Sequence, residues 1–126
     1  MDRIIFIKSL EVYQTLGKGH RESTYQQALA RELKEYKPIL EYPLAIEYKQ
    51  WHVNTYYVDI VINGNLPIEC KWVKKLKDGR QFCQIRNYMT HLHSDIGYLV
   101  NFGDDDLEVI KFTGKNEVKY LHISDK

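Results

Sequence analysis

The sequence predicts a mixed α/β domain, with helices flanking a mixed β-sheet made of an antiparallel hairpin plus one parallel strand. Three observations predict it. Residues 56–73, YYVDIVINGNLPIECKWV, read as two apolar, β-rich arms around the turn residues Asn63, Gly64 and Asn65. Apolar stripes at helical spacing stand on both sides of that hairpin. The later stripe separates the hairpin from the run GYLVNF by the length of a crossover between parallel strands.

Taken in order, residues 3–15 read as a first helix. Ile4, Ile7 and Leu10, beside Phe6 and Tyr13, give its stripe, although the run from Ile4 to Ile7 also fits a strand. Gly17-Lys18-Gly19 stops it. Residues 21–35 read as a second helix with Tyr25, Leu29, Leu33 and Tyr36 on its apolar face, ended by Pro38. Residues 43–49 alternate as a strand through Leu44, Ile46 and Tyr48, and residues 50–54 read as a turn. The hairpin follows, then a basic loop at residues 74–79. A third helix is expected over residues 80–91, with Phe82, Ile85, Met89 and Leu92 toward the core. Further strands are expected at residues 97–102, 107–112 and 118–123. At 126 residues, one domain over residues 1–126 is the expected organisation.

The hairpin pattern also predicts its register. Val58, Ile60 and Ile62 would share one face of the first arm, and Leu66, Ile68, Cys70 and Trp72 one face of the second. A slip of one residue would turn one set away from the core, so Ile62 must face Leu66. That demands a three-residue connection, Asn63 to Asn65, with a left-handed glycine or asparagine. In this register Asp59 lies opposite Glu69, and Lys71 follows on the same face. Adjacent carboxylates repel unless a cation sits between them. All-oxygen ligation suits a hard ion such as Mg²⁺ or Mn²⁺. The lysine would then hold a water or a phosphate oxygen. The plainer alternative is a solvated salt bridge, and the apolar residues flanking these charges argue against it.

Net charge is +1, so the overall field does not announce nucleic acid. The local distribution is more informative. Lys71, Lys74, Lys75, Lys77 and Arg80 follow the acid pair, where a phosphate backbone would have to approach. A solvated loop is the bland alternative. Asp104, Asp105, Asp106 and Glu108 cluster further along. His91 and His93 have no evident third metal ligand, and His20, His52 and His122 stand alone, so all five read as structural or surface residues. No Ser-His-Asp set, phosphate-cradling glycine loop or dinucleotide fingerprint occurs. No apolar run approaches a membrane helix, and charges at Asp2, Lys8 and Glu11 argue against a signal peptide. Cys70 and Cys83 lack metal spacing and require no disulfide, which fits a reduced, cytoplasmic setting.

Asp59 followed by Glu69-Cys70-Lys71 resembles the D…(D/E)-x-K core of the PD-(D/E)xK nuclease superfamily. Leu16, Gly17, Gly19, Glu22 and Tyr25, in the run LGKGHRESTY, resemble the GxxExxY signature of one small family within it. Tyr42-Pro43-Leu44, Ile68-Glu69-Cys70-Lys71, Gln84-Ile85-Arg86-Asn87-Tyr88 and Asn101-Phe102-Gly103 resemble further motifs of that family, in order. Val58 departs from it, since the family more often has a small residue there, preceded by arginine. The resemblance implies a restriction-endonuclease-like core and metal-dependent hydrolysis of phosphodiesters, with DNA as the expected substrate. It implies that Asp59 and Glu69 bind Mg²⁺ or Mn²⁺ and that Glu22 completes the carboxylate shell. It implies that Lys71 orients the attacking water and that Gln84 projects toward the same site. Lys74, Lys75, Lys77 and Arg80 would contact nucleic acid. Glu22 could instead be a helix-start acid, Gln84 a surface residue and Tyr25 core packing, the last being preferred. Two alternatives stay open: a Holliday-junction-resolvase-like endonuclease acting as a homodimer, and a non-catalytic nucleic-acid- or partner-binding module that retains the fold.

Overall fold

Helical periodicity places the first two elements on one side of the sheet. The structure is a computed structural model and describes residues 1–74, 76, 79–103, 105–114 and 117–121. Helix α1 (Asp2–Leu16) buries Ile5, Phe6, Ser9 and Val12, not the expected Ile4, Ile7 and Leu10. The apolar run from Ile4 to Ile7 offers a helical stripe in either phase, and Val12 decides between them. Helix α2 (Glu22–Glu32) buries Tyr25, Gln26, Leu29 and Ala30. It is shorter than residues 21–35: a 3₁₀ turn (Lys34–Tyr36) tightens its end, and left-handed Lys37 (φ 55°) stops it before Pro38.

Strands β1 (Ile39–Tyr48), β2 (Trp51–Ile62), β3 (Leu66–Lys71), β4 (Ile96–Asn101), β5 (Glu108–Thr113) and β6 (Val118–Tyr120) lie side by side in chain order. Only β3 and β4 are parallel, and helix α3 (Arg80–Leu92) is the crossover between them. Ile60, Ile62, Ile68, Cys70, Tyr98 and Val100 pack with Ile5, Tyr25, Leu29 and Leu33 from α1 and α2. Val61, Leu99, Ile110 and Phe112 pack with Phe82, Ile85, Met89 and Leu92 from α3. The expected mixed sheet between helical layers is therefore present, with three more antiparallel strands than the minimal hairpin-plus-one. Lys75, Lys77, Asp104 and residues 122–123 of the last expected strand lie outside the described residues.

The β2–β3 register is the expected one. Ile62 faces Leu66 across Asn63-Gly64-Asn65, with Asn63 (φ 52°) and Gly64 (φ 88°) left-handed. The face assignment needs two corrections. Trp72, expected on the core face of the second arm, lies beyond the end of β3 and is exposed. Ile60 and Ile62 belong to the α1–α2 layer, but Val58 packs in the α3 layer with Leu44. Residues two apart on a regular strand share a face, so β2 rolls over at Asp59. The cause lies in β1. Leu40 pairs with Ile60 and Tyr42 with Val58, but Glu41 between them is left-handed (φ 51°) and leaves the ladder.

Residues 50–54 are not a turn. They are strand, apart from Gln50, and the connection is Lys49-Gln50, both left-handed (φ 49° and 72°). Neither residue type signals such a turn, which is why the sequence hid it. Beyond Asp59, β2 pairs only with β1, so residues 42–58 form a two-stranded ribbon. At its tip Tyr48 and Trp51 face each other, 62% and 76% exposed.

Candidate active site

The ladder between β2 and β3 stops at Ile60 and Ile68, and side chains replace it one residue further on. The Asp59 N–H donates to Glu69 Oε2 (2.7 Å), and the Cys70 N–H donates to Asp59 Oδ2 (2.8 Å). Each acid thus accepts from a backbone donor of the opposite arm. The arms splay into a fork with both carboxylates in its crotch. One oxygen of each carboxylate is engaged in this way. Glu69 Oε1 lies 3.9 Å from Lys71 Nζ. The structure therefore brings Asp59, Glu69 and Lys71 together.

Their electrostatics follow from burial. Glu69 is nearly inaccessible, and desolvation, with the Asp59 charge adding, pushes its carboxyl up to about 8. Desolvation also raises Asp59, to about 6, with Glu41 and Glu22 adding against the Cys70 N–H and Lys71. Two acids in one partly dry site bind protons more tightly than ordinary carboxylates, and any cation offered there would compete for them.

Helix α2 grips both arms of the fork. Glu22 and Gln26 stand one turn apart and share a helix face. Glu22 Oε2 accepts the Trp72 N–H (2.9 Å), just beyond the end of β3. The Gln26 amide donates to the Asp59 carbonyl (3.0 Å) and to Glu41 Oε2 (2.7 Å). Glu22 thus reaches the rim of the acid pair while its carboxylate is committed to the exit of β3. Glu41 is a further carboxylate beside the fork, and its charge acts on both Asp59 and Glu69. The sequence reading singled out neither Glu41 nor Gln26. Their only signals are a charge between Leu40 and Tyr42 and an amide one turn after Glu22.

The segment before α2 explains the glycines. Gly17 (φ 72°) and Gly19 (φ 96°) hold backbone conformations that other residues adopt only under strain. Tyr25, fully buried, donates from its hydroxyl to the Gly17 carbonyl (2.7 Å) and accepts the His20 N–H (3.3 Å). Its ring stacks on Phe102 at 4.5 Å. Tyr25 is core packing, as preferred, and it also pins the loop that delivers Glu22.

The exit of β3 is held from β4. Asn101 is fully buried; its Oδ1 accepts the Val73 and Gly103 N–H groups, and its amide donates to the Val73 carbonyl and Glu108. On the α3 side, Gln84 stands one turn before Tyr88 on the same helix face, and Tyr88 senses the Glu69 charge. Burial first, then that charge, pushes the Tyr88 hydroxyl up to about 12. Gln84 therefore reaches the edge of the site beside Tyr88; no described hydrogen bond joins it to a fork carboxylate. Lys74 and Arg80 are exposed, on the segment leaving β3 and in the first turn of α3.

Among the described residues, no three histidine, cysteine or acidic side chains converge as a ready-made metal cage. A hard cation does not require one. Mg²⁺ keeps several waters and is typically held by one or two carboxylates together with substrate phosphates. The Asp59–Glu69 pair supplies such a donor set.

A family model described as the PD-(D/E)XK nuclease superfamily matches residues 1–112. No curated protein and no solved structure matches the chain. The fork, the single parallel strand pair and the crossover helix agree with that match, and the sheet is of the α/β restriction-endonuclease-like type. The chain belongs to the PD-(D/E)XK nuclease superfamily.

Proposed function

We propose that the protein is a metal-dependent phosphodiesterase acting on nucleic acid, DNA before RNA, and that within the superfamily it belongs to the GxxExxY family. The fork carries the reading: Asp59 and Glu69 exchange hydrogen bonds with the opposite arm through one oxygen each, with Lys71 on the same face. Two repelling, buried carboxylates are costly for a structural purpose and fit a purpose that brings a cation.

Asp59 and Glu69 would hold Mg²⁺ or Mn²⁺, with Glu22 at the rim completing the shell directly or through water. The bound ion would lower the pKa of a water and neutralise phosphate charge. Lys71 orients the attacking water and balances charge that builds on the phosphate. Gln84 stands beside Tyr88 at the edge of the site. Lys74 and Arg80, with Lys75 and Lys77 beside them in sequence, contact the phosphate backbone. Tyr25, Gln26, Asn101 and the left-handed glycines hold the acids in place.

Cleavage rate and Mn²⁺ affinity, measured together, test the reading. Removing one preorganised electrostatic group costs about 10²–10³ in rate. Lys71→Ala should lose that much cleavage and still bind Mn²⁺, since lysine is no ligand. Asp59→Ala should lose both. If Lys71→Ala cleaves like wild type, or wild type never binds the ion, the three residues are a structural salt bridge.

A further inference from the structure

Between the β1–β2 ribbon and α3 lies a groove of about 250 Å³, lined by Tyr56, Arg80, Cys83, Gln84, Asn87 and Tyr88. Its walls come from two elements far apart in the chain. Tyr56 stands on the ribbon, 43% exposed, its ring centroid 6.3 Å from that of Tyr88 at an angle of 53°. The two rings are tilted and not stacked, so Tyr56 does not spend its face on Tyr88. Tyr88 is buried in one cluster with Val58, the residue before Asp59, which puts the inner end of the groove beside the fork.

The lining has a definite chemistry. It offers an aromatic face, two carboxamides (Gln84 and Asn87) and a guanidinium (Arg80) and, among the described residues, no carboxylate. Aromatic faces stack on bases, carboxamides pair with base edges, and a guanidinium takes phosphate in a bidentate grip. The volume falls below the about 300–1,000 Å³ of pockets for drug-sized ligands, which leaves room for one planar ring system.

We infer that this groove binds one unpaired nucleobase of the strand whose phosphate lies at the fork, so that the substrate is a single strand or an unpaired end. A base inside a duplex is stacked on both faces and must be extruded to enter such a groove. The inference deepens the nuclease reading, because it relies on the fork for the position of the phosphate. The binding itself needs neither metal nor cleavage.

The chain carries its own probe. Of its two cysteines, Cys70 is fully buried and Cys83 is exposed in the groove wall. The experiment follows maleimide modification of Cys83 in EDTA, with oligothymidine, with oligouridine, or with a DNA duplex of matched length. A single strand should slow modification about tenfold or more at saturation, while the duplex leaves it within about twofold. Protection by either oligonucleotide supports the inference, and the comparison shows which sugar is preferred. Tyr56→Ala should raise the oligonucleotide concentration needed by about ten- to a hundredfold, the loss of one stacked base, and Tyr56→Phe should not. Equal protection by the duplex, no protection by any strand, or wild-type protection in Tyr56→Ala overturns the inference. The two readings fail separately. Protection without metal binding sinks the nuclease and keeps the groove; cleavage without protection does the reverse.

Discussion

At Gly103 there is no room for a side chain. A Cβ there would lie 2.5 Å from the Val73 nitrogen and 2.6 Å from its oxygen, backbone atoms that cannot swing aside. The neighbouring Asn101 holds the same two groups of Val73 by hydrogen bonds (3.0 and 2.9 Å). Asn101, Phe102 and Gly103 thus serve one purpose: they fix the chain just after Lys71, with Phe102 also buttressing Tyr25. Gly103→Ala should destabilise the protein by about 1–3 kcal/mol, the usual cost of overpacking. Gly114 is the internal control, because its nearest neighbour, Asp95 Oδ1, would be 3.8 Å from a Cβ. Gly114→Ala should stay within about 0.5 kcal/mol of wild type. Chemical denaturation of both variants decides it: if they shift alike, the close approach at Val73 has no energetic weight.

The β2–β3 hairpin and the β1–β2 ribbon show what an element's sequence can carry. The hairpin was legible because alternate apolar residues and Asn63-Gly64-Asn65 agree on one register, and Asp59 and Glu69 fall opposite each other as a result. The stripe of α3 was legible for the same reason: Phe82, Ile85, Met89 and Leu92 allow one phase only. The roll at Asp59 was not legible. It rests on a glutamate in a left-handed conformation, which no local preference encodes, held by Gln26 from α2. The ribbon turn was hidden likewise, with left-handed Lys49 and Gln50 where Asn-Gly would be typical. Left-handed backbone costs an ordinary residue roughly 1–2 kcal/mol. Lys49→Asn combined with Gln50→Gly should recover about that much locally. Hydrogen exchange of ribbon amides from residues 42–58 should slow about tenfold, since 1.4 kcal/mol is one decade. Amides of α2 should not change. Unaltered exchange in the ribbon would mean that its strands are held by something other than their turn.

Across the whole molecule, the fork links the candidate site to folding. Asp59 (about 6) and Glu69 (about 8) are raised by burial above the ordinary carboxylate range, so the folded chain binds their protons more tightly than the unfolded one. The sign follows from linkage. Stability from these groups is fully present below their unfolded values near pH 4, and it is lost as pH rises through about 6 and then about 8. Asp2, held below its usual value chiefly by hydrogen bonds from Tyr98 and Lys111 against its desolvation, changes only at more acid pH and leaves this window undisturbed. A cation that binds only the folded fork should oppose the loss, adding about 2.7 kcal/mol at a hundredfold excess over its Kd. In EDTA, wild type should therefore be less stable toward denaturant at about pH 8 than at about pH 5. Asp59→Asn keeps an oxygen for the Cys70 N–H and removes one of the two repelling charges, so its pH dependence should be flatter. Mn²⁺ should restore wild type at the higher pH and leave Asp59→Asn nearly unmoved. Wild type equally stable at both pH values in EDTA would show that the two acids ionise in the fold without cost. The site would then hold no electrostatic debt for a cation to relieve.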